Sequence, residues 1–586
     1  SATPTRLPTL MMPTDTSTPV PTPTPPPVKP FSYLALLYNP GSVKVYDRVE
    51  LTIATDGVVT NPFDPTQANL QVEFSSDGDR IIVIPAFYYQ EFDRRSLQPV
   101  GDPVWKVRFT PTQAGTWLAR AALYPSDLRS KTIRFDVLPN PGAHGFVRQN
   151  QRNPLYFQTD NGDFFFPVGL NIGWAGGDVL GDYQHWLDHF SQNGGNLVRV
   201  WMADWSFGLE WKDTGLGDYS KRMKQAWLLD QVFHMAEERG VTIMLSLLNH
   251  GAFNETVNPE WSDNPYNARL GGPLAQPHEF VTDPSARQLF KRRLRYIAAR
   301  WSYSPSLFAW EWWNEINWTP VTTEMLRPWL SEMTGYLRTV DPYQHLVTHS
   351  TSSADPIWDD PEIQICQLHD YSGQFFPTTL SSTFDDYQEL APGKPVLMGE
   401  FGYNAGGEDK HFLQQSIHLH NGLWTAPFVG FAGTGMYWWW DNYIDPYDHW
   451  HEFRSISDFF RGEDLADMHL KRARVQPYGA SAFILQNDRR ALVWVINNTY
   501  SMEGAQSAYL TAFLNKKLTP DWRYVPQAME KVVVTVSGLT DGHYLIDWYA
   551  PSKGMWLAQG LVTVSQEAFS VTIPSLQTDV AFKLHK

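Results

Sequence analysis

Apolar and polar residues alternate in short runs from residue 31 to about 138: Val49-Glu50-Leu51-Thr52-Ile53, Leu70-Gln71-Val72-Glu73-Phe74, Trp105-Lys106-Val107-Arg108-Phe109 and Thr132-Ile133-Arg134-Phe135-Asp136-Val137. A period of two places one face of each strand in a core and the other in water. Several such strands, separated by Gly, Pro and Asp, predict an immunoglobulin-like β-sandwich over residues 31–140. The pattern then changes at Pro139-Asn140-Pro141-Gly142. Apolar runs at 165–171, 197–202, 242–248, 307–313, 346–349, 365–368, 396–400 and 435–439 alternate with stretches of helical period, such as 286–299 and 224–239, the latter apolar at 227, 228, 232, 235 and 236. Eight alternations over about 320 residues predict a closed (β/α)₈ TIM barrel rather than an open sheet, here residues 141–462. Strand alternation returns at 492–496, 531–536, 544–548, 561–564, 569–573 and 580–584, predicting a C-terminal β-sandwich over 463–586. The expected architecture is multidomain, with a central barrel flanked by two sandwiches.

Composition changes this picture in three places. Residues 1–30 are dense in Thr and Pro, including Thr22-Pro23-Thr24-Pro25-Pro26-Pro27, and read as an extended linker. Such a stalk suits an exported, extracellular or cell-surface protein, although no signal segment is part of this sequence. A net charge of −16 and a pI near 5.5 argue against nucleic acid or an anionic membrane as partner, since both require a basic face. Aromatic residues make up 14% of the chain, with 25 Trp, 26 Tyr and 33 Phe. Most of these rings are needed for packing, but a surplus of flat rings also suits the C–H faces of sugars.

Several other chemistries find little support. The single cysteine, Cys366, reads as a buried small hydrophobe and excludes an intramolecular disulfide. No apolar run reaches the ~20 residues of a membrane span. Histidines are scattered without a His-Glu-x-x-His, and Asp441, Asp445 and Asp448 lack the Gly and terminal Glu of a calcium loop, so neither a metal nor another cofactor is expected. Oligomeric state is not legible.

The candidate chemistry lies in two glutamates, each at the end of an apolar run: Glu315 in Trp312-Trp313-Asn314-Glu315-Ile316, and Glu400 in Leu397-Met398-Gly399-Glu400-Phe401. A carboxylate at the C-terminal end of a barrel strand faces the mouth. The two are about 85 residues apart, or roughly three βα units of ~30 residues, which puts them on strands 4 and 7 across that mouth. Glycoside hydrolysis with retention needs such a pair, one ionised to attack and one protonated to release the leaving oxygen. The tryptophans before Glu315 favour a raised pKa and an acid/base role; Glu400, with Tyr403 or another tyrosine to donate to it, is the expected nucleophile. Glu311 falls earlier in its strand and reads as a core charge. Arg199 is free on this reading to pair with Glu311 instead of Glu400, and His250 to cap strand 3.

These residues resemble the retaining (β/α)₈ glycoside hydrolases of clan A, most closely glycoside hydrolase family 5 and its cellulase- and mannanase-like members, over about residues 145–460. The resemblance implies that Arg199, in Leu197-Val198-Arg199-Val200, lies beside the nucleophile, and that Asn314 bonds the sugar 2-hydroxyl. It further implies that His250 binds sugar, that His369-Asp370-Tyr371 supplies the family's His-x-Tyr pair, and that Trp438-Trp439-Trp440 covers its tryptophan platform. Alternation sends either Trp439 alone or both Trp438 and Trp440 inward; the resemblance favours Trp438. Asn61-Pro62-Phe63-Asp64-Pro65 and the Gly145-Phe146-Val147-Arg148 junction are similar to bacterial members with an accessory sandwich ahead of the barrel. Ile316 departs from the proline common at that position. The expected function is a retaining β-glycoside hydrolase acting on a cell-wall-type oligo- or polysaccharide, β-mannan or β-glucan. The alternatives are an exo-acting glycosidase, possible on furanosides, and a non-catalytic carbohydrate-binding surface protein.

Overall fold

The computed structural model describes residues 28–38, 41–76, 81–352 and 355–586; nearly all of the expected Pro/Thr-rich linker therefore lies outside the described residues. Residues 34–138 form two sheets. One orders Leu34–Leu37, Val49–Thr55, Pro99–Phe109 and Phe87–Phe92, and the other Val43–Lys44, Ile133–Leu138, Gly115–Tyr124, Asn69–Ser76 and Ile82–Pro85. The alternation read from sequence is the alternation of burial: along Asn69–Ser76 every second side chain is buried, and Leu51, Val72, Phe74, Val107, Phe109 and Trp117 share one core.

The barrel is built on parallel strands β1 (Gly169–Asn171), β2 (Leu197–Trp201), β3 (Thr242–Ser246), β4 (Leu307–Glu311), β5 (Leu346–Thr348), β6 (Cys366–Asp370) and β7 (Val396–Phe401). Bridges Thr348–Ile365 and Thr351–Leu368 join β5 to β6. Tyr437, bridged to both Phe401 and Leu170, takes the eighth position and closes the ring. The strand expected at 435–439 is thus reduced to one residue, because the chain turns at Trp440 into a π-helical turn, Trp440–Ile444. The first expected strand, 165–171, divides: Phe164–Phe165 pairs with Phe157–Thr159 below the barrel, and only Gly169–Asn171 enters it.

Helices α1 (Val179–Gln192), α2 (Met223–Glu238), α3 (Pro284–Trp301), α4 (Thr323–Val340), α5 (Phe376–Leu390), α6 (Ile417–Val429) and α7 (His451–Phe460) form the outer layer. α3 starts where sequence chemistry dictates: Asp283 accepts from the N–H of Ala286, and Pro284 occupies the first turn. Among its described residues the β5–β6 connection carries the short 3₁₀ turn Pro356–Asp359 instead of an α-helix. Cys366 is buried in β6, where burial pushes its thiol up to about 12.

C-terminal to the barrel lie a six-stranded and a three-stranded sheet around their own core of Val493, Val495, Val532, Val534 and Phe582. This region also contains α8 (Met502–Leu514), a helix the strand pattern does not predict. Buried charge clusters fasten both flanking regions. On one side Arg108 reaches Asp230 of α2 at 2.8 Å, and Asp230 also takes Arg300 at 2.7 Å and the Trp301 indole at 2.9 Å. On the other, the His420 imidazole lies between Glu452 (2.7 Å) and Asp579 (2.9 Å). Among the described residues no helix is long and apolar enough to cross a membrane.

Candidate active site

Arg199 and Trp201 share one face of β2, two residues apart, and both turn into the barrel mouth. The fully buried Arg199 guanidinium organises the floor. Its Nε and Nη2 donate to the two Glu311 oxygens (2.7 and 2.8 Å), its Nη1 to Glu400 Oε2 (2.8 Å), and its Nη2 also to Asn314 Oδ1 (2.6 Å). Burial opposes the charge, but the surrounding carboxylates raise the guanidinium's pKa and keep it cationic. The choice between Glu311 and Glu400 that sequence leaves open is therefore resolved as both. Glu311 is wholly buried at the end of β4, takes a further bond from Gln367 Nε2 (3.2 Å), and is absent from the cleft wall.

Glu400 ends in the cleft from within β7. Its Oε1 accepts from the Tyr371 hydroxyl at 2.5 Å. Tyr403, the tyrosine named from sequence as donor, is not the one that donates: it is turned toward Gln506, whose Nε2 donates to the Tyr403 oxygen at 2.8 Å. Gly399 is required beside Glu400 because a Cβ there would come within 1.8 Å of the Gln367 amide oxygen. Glu315 arrives differently. Asn314 is bridged to Asn249 beyond β3, and Glu315 then adopts a left-handed backbone (φ 49°, ψ 52°) that throws its side chain over the cleft. The Glu315 N–H donates to Ser350 Oγ (2.9 Å).

One oxygen of Glu315, one of Glu400 and a ring nitrogen of His369 all lie within 4.8 Å of one another. His369 Nδ1 stands 3.2 Å from Glu315 Oε1 and 3.4 Å from Glu400 Oε2. Burial lowers this imidazole to about 4, and burial also lowers His250, so both rings are neutral near neutral pH. Asn314 Nδ2 donates to His250 Nδ1 (3.1 Å), and the Asn258 side-chain amide lies 3.1 Å from His250 Nε2 on the other side of the ring. The same Nδ1 faces Glu315 Oε2 at 3.6 Å. His250 makes no helix cap at the end of β3.

Burial raises both carboxyls above the ordinary range, and each is raised further by a neighbouring carboxylate. The two do not hold their charge equally. Glu400 receives a guanidinium and a phenol whose own pKa is raised well above normal, so that it remains a donor. Glu315 lies beside the imidazoles of His250 and His369 and feels Arg199 only at a distance, with no hydrogen bond from it. These contacts favour the charge on Glu400 and the proton on Glu315. As metal ligands, Glu315, His369 and Glu400 form the one close donor triad found among the described residues, but the bonds to Arg199 and Tyr371 already engage both Glu400 oxygens. Asp445 of the strand-8 loop pairs with His185 at 2.8 Å.

The carboxyls lie in a cleft of about 740 Å³ lined by His250, His369, Tyr371, Trp174, Trp201 and Trp438, with Trp205 (39% exposed) and Trp318 (45% exposed) also on its wall. Trp438 packs against Trp174 and Trp201 at 5.6 and 5.2 Å between ring centres, and the buried Trp440 also meets Trp174. Trp439, expected among the sugar-binding residues, is absent from the cleft wall; its indole lies against the backbone at Gly402. Trp312 and Trp313 likewise pack away from the cleft, on Trp329 of α4. The residues the sequence reading missed are Trp174, Trp201, Trp205, Trp318, Asn258 and Glu260. The period of two from Arg199 points to Trp201; the others sit on loops with no periodicity to follow. Glu260 is pushed up to about 7 by burial and by Asp204 and Asp263.

Comparison with known proteins points to the same class of enzyme. Residues 161–430 match the family described as Cellulase (glycosyl hydrolase family 5), and residues 42–121 match a domain of unknown function, DUF5060. The chain is 26% identical over 326 residues to mannan endo-1,4-beta-mannosidase 2 of Arabidopsis thaliana, covering 46% of this chain and 72% of that protein. It is 25% identical over 176 residues to mannan endo-1,4-beta-mannosidase F of Aspergillus clavatus, covering 28% of this chain and 37% of that one. A crystal structure from Bacteroides vulgatus, described as a candidate glycoside hydrolase, superposes with a TM-score of 0.59 at 15% identity over 93% of this chain and 99% of its own, a likeness of fold.

Proposed function

We propose that this chain, a glycoside hydrolase of the family 5 type, is a retaining β-glycosidase that cleaves a mannan-type glycan within the polymer. The observation that carries the reading is the spacing of the carboxyls. Oxygens of Glu315 and Glu400 lie within 4.8 Å, which supports the close pair (~5–5.5 Å between carboxyls) of a retaining enzyme over the ~6.5–9.5 Å that admits the intervening water of an inverting one. Glu315, protonated, donates to the glycosidic oxygen as the bond to the leaving sugar breaks. Glu400 forms a covalent glycosyl-enzyme in the same step. Glu315, now ionised, removes a proton from water, which attacks the anomeric carbon and releases Glu400. Arg199 and Tyr371 hold Glu400 in position and accompany its charge through both steps. Asn314 is assigned to the 2-hydroxyl, and His250 and His369 to orienting Glu315 and the sugar.

The names of the relatives support mannan as the substrate class, and exposed rings at Trp205 and Trp318 support a cleft open to a chain that continues past the cleavage point. We read residues 31–140 and 463–586 as an immunoglobulin-like and a C-terminal sandwich that brace the barrel of 141–462, supported by their two-sheet cores and the buried charges fastening them. The Thr- and Pro-rich start supports an exported protein.

The test is hydrolysis of β-mannan, β-glucan, xylan and aryl glycosides, with products sized and the first-formed anomer read by NMR. Internal cuts in mannan with the β-anomer released first are expected. An α-anomer first would overturn retention, exclusive release of monosaccharide would overturn internal cleavage, and saturable binding without turnover would leave a carbohydrate-binding protein.

A further inference from the structure

Between Arg490–Asn497 and Met529–Ser537 the C-terminal region leaves its sheets for an excursion made of α8 and its flanking turns. The excursion packs on the barrel segment 402–416, which joins β7 to α6. Phe412 and Ile417 of the barrel share a buried cluster with Met502, Ala505 and Tyr524 of the excursion. The Gln415 amide donates to the Tyr524 carbonyl (2.9 Å) and accepts from the Tyr524 N–H (2.8 Å). Gln506, near the start of α8, donates from one amide nitrogen to the Tyr403 oxygen (2.8 Å) and to Asp409 Oδ2 (3.0 Å).

Tyr403 stands three residues beyond Glu400. Its ring lies against Gly373, where a Cβ would be 3.1 Å away, and Gly373 belongs to the turn that carries Tyr371. The Tyr371 ring in turn rests on Gly402, where a Cβ would lie 3.0 Å from it. The same segment brings Ala405 to the cleft wall, and its Glu408 is fixed by the hydroxyl of the barrel-closing Tyr437 at 2.5 Å. A continuous set of contacts therefore runs from α8 through Tyr403 to the hydroxyl that donates to Glu400. The 402–416 segment has no regular structure of its own to set this geometry.

We infer that α8 belongs to the active site's support, and that Gln506 is a positioning residue which, through Tyr403, sets the Tyr371 hydroxyl on Glu400. This rests on the reading of Glu400 as nucleophile. Loss of the Gln506 amide loosens the 371–373 turn, lengthens the bond to Glu400 and withdraws support from its charged form.

The full-length chain is compared with Gln506→Ala, Tyr371→Phe and the double variant for kcat and KM against pH, with thermal midpoints measured alongside. Gln506→Met, which keeps the side chain's length without its hydrogen bonds, replaces Gln506→Ala should the latter fold poorly. The expected result is a roughly threefold to tenfold loss of kcat with KM little changed, an acid limb moved to higher pH, and no further loss when Gln506→Ala is added to Tyr371→Phe. Independent, multiplying losses in the double variant overturn the inference, as does a lowered thermal midpoint with kcat and acid limb unchanged. A wild-type chain inert on every glycoside overturns the catalytic reading and this one together; an active wild type with additive losses overturns this one alone.

Discussion

At the end of β4 the backbone turns into the left-handed region at Glu315, whereas at the end of β7 Glu400 stays inside a regular strand. A left-handed non-glycine residue costs roughly 1–2 kcal/mol, and the structure holds Glu315 there with bonds to its neighbours: Asn314 N–H to the Leu248 carbonyl (2.8 Å) and Glu315 N–H to Ser350 Oγ (2.9 Å). Glu400 needs no such distortion, but it sits against a buried guanidinium and a phenol. Identical side chains are thus made unlike by what surrounds them: one placed by strain among neutral rings, the other placed by regular structure beside a fixed cation. The first arrangement keeps a proton, and the second favours a charge.

Removing the charge should have the largest effect. Glu400→Gln keeps the shape of the site and leaves Arg199 paired with Glu311, so the fold should persist while kcat falls on the order of 10³-fold or more. Residual turnover above about a tenth of wild type, with the thermal midpoint intact, would take the nucleophile role from Glu400. Glu315→Ala should cost roughly 10²–10⁴-fold on substrates with poor leaving groups and much less where the leaving group needs no proton. Azide should restore its turnover and yield a β-glycosyl azide; an α-azide would reverse the two roles.

The contrast also fixes the pH dependence. On the proposed double displacement, activity needs Glu400 ionised and Glu315 protonated, so the acid limb belongs to Glu400 and the basic limb to Glu315. Burial raises both, and Arg199 and Tyr371 favour the charged form of Glu400. A bell on the acid side of neutrality is expected. Tyr371→Phe removes a donor to the charged form, so the acid limb should move to higher pH while the basic limb stays near its place. A wild-type profile flat from about pH 4 to 8 would contradict a carboxyl pair working in this way.

How far sequence could see follows the same division. The regular strands were legible: period and length locate β2, β4, β6 and β7, and with them Glu311 and Glu400, while Arg199 and His369 entered as site residues through the family resemblance. Of what lies on turns, Glu315 came from its motif and His250, Tyr371 and Trp438 from the family resemblance, whereas Trp174, Trp205 and Trp318 were not legible. Tyr403 is nearer Glu400 in sequence, but the turn after β6 delivers Tyr371 to the carboxylate instead. Trp312 and Trp313 closely precede Glu315, yet their rings pack on Trp329 of α4 and not beside its carboxyl. A single bridging residue, Tyr437, suffices for the eighth strand, so the apolar run around it overstates the element. α8 escaped because only Met502 and Ala505 are buried along it and no apolar stripe forms, although Ser501 caps it by accepting from the Gly504 N–H.

The smallest effect tests the strained end directly. Ser350→Ala deletes the hydroxyl that accepts from the Glu315 N–H and leaves Glu400, Arg199 and Tyr371 with every bond they have. Loss of that bond should cost about 1 kcal/mol of stability, since a part-buried N–H then lacks its partner. The left-handed turn has less to hold it, and Glu315 should sample positions away from the glycosidic oxygen. The expected outcome is a kcat lowered about threefold to tenfold, greater for poor leaving groups than for good ones, with the acid limb unmoved because Glu400 is untouched. That leaving-group dependence separates a displaced acid from a general loosening of the barrel, which would slow all substrates alike. An acid limb that moved with Ser350→Ala would mean that the two strand ends are not independent, and that the distortion at Glu315 also sets the charge on Glu400.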